Sequence, residues 1–226
     1  MASGNGFGER GTRPYRKRRP LPALIVIAVL GLGAVVVWVH AIVSGSNIND
    51  AIRCTPAPTP PAGVTFTPLD HSTLDDRVPT PQDKIAVKVL NASSTRGQGS
   101  IATESLRALG FSQIADPAND PVYPKQDAKC RGQIRFGENG TSSARTLSLV
   151  TPCLELVKDN RKDSTVDLSI GTLFSDVRPS AAATQILNQL KTWSAAHQGG
   201  GGGEQSASAA PTIDPALLKA ARDVSC

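Results

Sequence analysis

Between Leu21 and Val43 the sequence runs LPALIVIAVLGLGAVVVWVHAIV, 23 residues without one Asp, Glu, Lys or Arg. A bilayer's hydrocarbon core is about 30 Å thick and takes about 20 helical residues to cross. Every backbone group inside it must be hydrogen-bonded within the segment, so the stretch reads as a transmembrane helix. The cluster RPYRKRR stands immediately before it, and such positive charge stays on the cytoplasmic side. The expected topology places the N-terminus inside and everything beyond Val43 outside. A cleaved signal peptide has an apolar run of only about 7–15 residues. A lipoprotein anchor at Cys54 has Arg53 where a small residue belongs. Both lose to an uncleaved single-pass anchor in the cytoplasmic membrane.

The formal charge of +5 is concentrated at one end. Six basic residues and one acidic residue precede Leu21, and the remainder is balanced, with 18 of each sign. A nucleic-acid-binding domain spreads basic charge over a folded surface, so nucleic acid is not expected as a partner. The basic tail reads instead as a topology signal in contact with anionic lipid. His40, His71 and His197 stand far apart, and none has a metal-ligand spacing. Cys54, Cys130, Cys153 and Cys226 all follow the apolar segment, in a compartment where disulfides persist. No Cys-x-x-Cys occurs, which disfavours redox chemistry and a zinc ribbon.

Composition divides the outer part. Residues 44–83 read as a proline-rich extracytoplasmic spacer, with seven prolines between Thr55 and Asp83. A compact block occupies 84–174. Ile85, Val87 and Val89 alternate as in a strand; Ala102, Leu106 and Leu109 share a helix face; and Gly110-Phe111 is a helix stop, with glycine in the left-handed position. Phe111–Ala115 begins a second strand, and 116–129, with three prolines, reads as a loop. Arg131–Phe136 is strand-like. Ala144, Leu147 and Val150 mark a helix, and strands follow at Leu154–Val157 and Val166–Ile170. The order β-α-β, β-α-β, β predicts a small mixed-sheet α/β sandwich, two βαβ units plus a final strand, with helices on one face. Residues 175–198 carry an amphipathic helix, and 199–226 form a glycine-rich tail with a short helix from Pro215 and the terminal Cys226.

Four cysteines allow three pairings. Cys130 and Cys153 each precede a strand, and parallel neighbours joined by a helical crossover start at the same end of the sheet. Cys130–Cys153 is therefore expected, which leaves Cys54 with Cys226. All four are assigned a stapling role.

No Gly-x-Ser-x-Gly elbow, His-Glu-x-x-His, P-loop or Ser-x-x-Lys occurs, and no catalytic residue, cofactor or metal site is expected. Asp75-Asp76 reads as a solvated pair in the spacer. Arg131, Arg135 and Arg145 read as a solvated face, with a patch for an anionic polymer as the lesser reading. The loop from Asn91 to Gly99 precedes a helix N-terminus, which is a weak anion signal.

The block KIAVKVLNASSTRGQGSIATESLRALGF, with CRGQIRFGENGTSSARTLSLVTPC and VDLSIGTLF, resembles the LytR C-terminal domain family. The resemblance rests on Val89-Leu90-Asn91, Gly97 and Gly99, Leu106–Phe111 and Ile134–Ala144. It implies a non-catalytic role in maintaining the cell envelope. In LytR-type glycopolymer transferases this domain is appended to a catalytic domain. Here only 40 residues separate the apolar segment from the block, which leaves no room for one, so no catalytic residue is carried over. The leading expectation is an anchored module that binds envelope-assembly membrane proteins such as those transferases. The alternative is a module that binds a cell-wall polymer, peptidoglycan or a linked glycan. Aromatics are few in the block (Phe111, Tyr123, Phe136, Phe174), and at least three are expected in the core, which favours a protein partner.

Overall fold

The computed structural model describes residues 21–197 and 210–226; the basic tail 1–20 and the glycine run 199–203 lie outside the described residues. The chain divides at Ser44/Gly45 into two units. Helix α1, Leu21–Ile52, supplies the first. It is long and apolar enough to cross a membrane, and from Leu24 to Ala41 it buries none of its residues in protein, as a single-pass anchor does. Its last residues, including Ile52, belong to the second unit.

That second unit is a mixed α/β domain. Its strands are β1 (Phe66–Leu69), β2 (Ala86–Asn91), β3 (Gln113–Asn119), β4 (Gly132–Phe136), β5 (Glu155–Asp159) and β6 (Val166–Ile170). They form one sheet in the order β1-β5-β4-β6-β2-β3. Helix α2 (Gln98–Ala108) joins the parallel pair β2/β3, and α3 (Thr141–Val150) joins the parallel pair β4/β5. The last strand, β6, enters between the two units, parallel to β2 and antiparallel to β4. These are the two βαβ units and final strand that the alternation implied. Gly110 has φ +93° and ends α2 as expected, with Phe111 N–H returned to Leu106 O at 3.1 Å.

Strand alternation assigns the two faces. Val87, Val89, Ile134, Phe136, Leu156, Val166, Leu168 and Ile170 share one core with Ala102 and Leu106 of α2 and Ala144, Leu147 and Val150 of α3. Both crossover helices thus cover the same face. Helices α4 (Ala181–Ala196) and α5 (Pro215–Arg222) follow. Ile186, Leu190 and Ala221 from them enclose Leu149 of α3 in a second cluster. With apolar neighbours on both sides, α3 is buried from Ser143 to Val150.

Three expectations are corrected. Residues 44–83 are not a free spacer, because Leu74 enters the main core and β1 pairs antiparallel with β5. Pro68 is tolerated because β1 is an edge strand, where a missing N–H costs no ladder bond. Residues 116–119 are strand rather than loop: β3 runs through Pro117 to Asn119, and Pro117 sits where the register with β2 slips by one residue, a bulge on the opposite edge. The disulfides are Cys54–Cys130 and Cys153–Cys226, not Cys130–Cys153 and Cys54–Cys226. The reason is register. β4 and β5 are parallel neighbours, but Gln133 pairs with Glu155, which leaves Cys130 and Cys153 out of step by one residue. A one-residue offset sends side chains to opposite faces. Cys130 packs with Cys54, Val122 and Tyr123, whereas Cys153 lies beside Val150, Phe174 and Val224.

Candidate functional site

The face without helices carries the alternate residues, Lys88 and Leu90, Gln133 and Arg135, Glu155, Val157 and Asp159, and Asp167 and Ser169. It is far more polar than its opposite, and much of it is nonetheless buried. Two loops do the covering. One, from Asp120 to Tyr123, crosses after β3; the other leads from Cys54 into β1, and the Cys54–Cys130 bridge fastens it.

Arg135 is the centre of what they enclose, with 1% of its surface exposed. Its guanidinium meets Asp120 in a two-pronged pair, Nη1 to Oδ1 at 3.0 Å and Nη2 to Oδ2 at 2.7 Å. Nε donates to Gln133 Oε1 at 2.9 Å. The rings of Phe66 and Tyr123 stand 5.4 and 5.7 Å from its Cζ, within cation–π range. Asp120 also accepts from Ser169 Oγ and from Val122 N–H. Gln133 Nε2 donates to Glu155 Oε2 at 2.7 Å, and that oxygen also accepts Cys54 N–H. Each buried charge has its counter-charge or its donors, the condition under which such a network is stable. Burial raises the Tyr123 hydroxyl above the ordinary tyrosine pKa.

Beside this network lies an open groove of about 500 Å³, with Arg135 reaching its floor. Pro61, Val64, Phe66, Leu90, Pro121 and Val122 supply apolar walls, and Lys88, Asn160 and Arg161 the polar rim. Arg161 is held on both sides, 2.7 Å from Asp159 and 2.6 Å from Asp167. Burial opposes its charge, but the hydrogen bonds from Asp167 and Asp159 outweigh that and raise its pKa.

The structure separates the three arginines of the candidate patch. Arg131 is exposed, Arg135 lies under the groove, and Arg145 is buried among α3, α5 and the segment around Asp75. Arg145 and Asp75 form an ion pair of 2.6 Å, so neither belongs to a solvated face. The Asn91–Gly99 loop is occupied internally: Asn91 Oδ1 accepts from Ser93 N–H and Oγ–H, and Gln98 links Ser93 to Phe174 O. Phe111, Tyr123, Phe136 and Phe174 are all buried, as expected. Sequence reading missed the groove. Polar alternation in β4 looks the same whether water or two loops cover it.

Residues 84–174 match the family model described as LytR cell envelope-related transcriptional attenuator. Over 195 residues, which are 84% of this chain and 89% of the relative, the sequence is 37% identical to the cell envelope integrity protein Cei of Mycobacterium tuberculosis. The chain belongs to the Cei family. A Cei-like likeness over that length runs well outside the 84–174 block, into the flanks that the two disulfides tie down. The crystal structure of the soluble domain of a conserved hypothetical secreted protein from Mycobacterium marinum has the same fold. Its TM-score is 0.58 at 34% identity, over 71% of this chain and 97% of that one. This member of the Cei family is therefore an envelope-related protein with a domain of secreted type.

Proposed function

We propose that the chain is a non-catalytic interaction module, held on the outer side of the cytoplasmic membrane by α1. It supports envelope integrity by docking membrane proteins of envelope assembly in the helix-free groove. The observation that carries this reading is the state of the groove's charges. Arg135 is committed to Asp120 and Arg161 to Asp159 and Asp167, so these ionisable groups hold the fold rather than stand ready for proton transfer. The walls they support are apolar, and apolar walls with a polar rim suit a protein segment. The family resemblance directs attention to LytR-type glycopolymer transferases as partners.

Binding of a cell-wall polymer is the competing reading. Against it, Phe66 is the aromatic side chain among the lining residues, and Arg135 already occupies its face. A photo-crosslinking residue at Lys88 or Asn160, both exposed at the rim, tests the reading in intact cells, with exposed Gln113 on the far edge strand as control. The expected result is a membrane-protein adduct from the rim positions only. Adducts that vanish on digestion of the wall would instead establish the polymer reading, and equal capture from Gln113 would dismiss the groove.

A further inference from the structure

A second cavity, of about 710 Å³, is lined by His71, Asp75, Arg145, Leu218, Lys219, Arg222 and their neighbours. Only 2% of the Arg145 side chain and 5% of the Arg222 side chain reach water. A guanidinium carries five N–H donors. Arg145 directs Nη1 to Asp75 Oδ1 at 2.6 Å and Nη2 to Asp75 O at 3.3 Å. Arg222 directs Nη1 to Ser148 O at 3.0 Å and Nη2 to His71 O. Neither Nε makes a hydrogen bond, and that of Arg222 stops 3.5 Å from Asp75 Oδ1.

Both arginines thus share one carboxylate, and that carboxylate is 44% exposed. Lys219 adds positive charge to the wall and Asp223 negative, and Asp76 acts on Arg145 from beside the cavity. Burial and the charge of Arg222 hold His71 below the ordinary histidine range, which disfavours a further positive charge in the wall. Burial, with the nearby charge of Arg145 adding to it, draws Arg222 down to about 10 against the pull of Asp75. Buried charged donors without acceptors are expensive, and the planar fork of arginine matches an oxyanion.

We propose that this cavity binds a phosphate group, whose oxygens complete the coordination of Arg145 and Arg222 with Lys219 at the rim. A phosphate brings more acceptor oxygens than a carboxylate, enough to meet both Nε–H groups and the Lys219 ammonium at once. The assignment is independent of the groove and of its partner.

The test uses the full chain in an uncharged maltoside detergent at pH 7 and constant ionic strength. Inorganic phosphate and glycerol 3-phosphate are titrated separately while the Nε–H signals of Arg145 and Arg222 are followed by NMR. A saturable shift is expected, with a midpoint of roughly millimolar or below. Arg145→Lys is expected to weaken it about tenfold, the equivalent of one lost charged hydrogen bond. Should that variant fail to fold, Lys219→Ala, at an exposed position, is expected to weaken binding about threefold. Asp75→Asn, which removes the competing carboxylate, is expected to tighten it. Preference for the ester would identify the head of a larger molecule, and preference for the inorganic ion a free ligand; either supports the site. Shifts that rise linearly without saturating, or that acetate reproduces at equal strength, would overturn it. So would an affinity indifferent to both Lys219→Ala and Asp75→Asn.

Discussion

Among the described residues, arginines are buried in two places and treated differently. Under the groove, Arg135 has Asp120 on two prongs, Gln133 on Nε and an aromatic ring on either side. Behind α3, Arg145 and Arg222 divide one half-exposed Asp75 and leave N–H groups unserved. The first arrangement is closed: it holds two loops to the sheet and has nothing left to offer. The second is open, and its stability is tied to whatever else supplies acceptors. A buried charge is thus read by counting its partners, because the same residue type serves as a rivet in one setting and a receptor in the other.

The sharpest way to break the comparison is to remove one partner from each cluster. Asp120→Ala strands Arg135 in a site with no exposure and is expected to cost about 3–5 kcal/mol, read as a fall in urea midpoint at unchanged slope. A loss below about 1 kcal/mol would show that the network is not closed. Replacing Cys153 and Cys226 together by Ser comes next. Their loop spans 73 residues, and a bridge of that span typically contributes about 2–4 kcal/mol. The loss should fall first on α5 and the Arg222 contacts, visible as faster amide exchange there than in the sheet. Asp75→Ala should cost less, roughly 1–2 kcal/mol, because 44% of its side chain already faces water. Phosphate should recover part of that loss in the same unfolding experiment.

The smallest expected effect is a dependence on pH. His71 is half-buried beside Arg222, its Nε2 2.9 Å from Pro152 O, with Asp75 and Arg145 close by. Its folded pKa is depressed, burial first and Arg222 second, so the unfolded chain binds the proton more readily. The stability it confers is therefore complete above the unfolded histidine value of about 6.5 and is lost as pH falls through the lower folded value. The slope cannot exceed one proton, about 1.4 kcal/mol per pH unit. His71→Gln should flatten the stability profile below about pH 6.5 and leave pH 8 nearly unchanged.

Much of the sheet was legible because its elements obey short-range rules. Val87/Val89 and Val166/Leu168/Ile170 alternate, α3 shows Ala144, Leu147 and Val150 on one stripe, and Gly110 stops α2. The failures share one cause: the decisive partner lies far off in sequence. Thr55–Asp83 looks like a spacer by its prolines, yet Leu74 and β1 are recruited by strands that begin after residue 85 and after residue 154. Asp75 and Arg145 looked solvated because α5, which closes over them, arrives from beyond the glycine run. Cysteine pairing failed on a single unit of register, which no propensity encodes. The groove and the second cavity were illegible for the same reason, since segments flanking the block complete both: Pro61–Phe66 one wall of the first, and His71, Asp75 and α5 most of the second.

The Cys54–Cys130 bridge also has a mechanical meaning. Cys54 stands two residues after the end of α1, and Cys130 lies just before β4. A pull transmitted along α1 therefore passes through sulfur to the start of β4, a strand hydrogen-bonded on both sides. Residues 55–129 sit inside a covalent ring and carry none of that tension. Edge strands β1 and β3, the easiest to peel, are shielded from it. Were the bridge reduced, the same pull would load β1 first, and the chain would lengthen by about 3.3–3.6 Å for every residue drawn out. A pull entering through α1 is thus routed past the two edge strands, and the sheet keeps its shape under load.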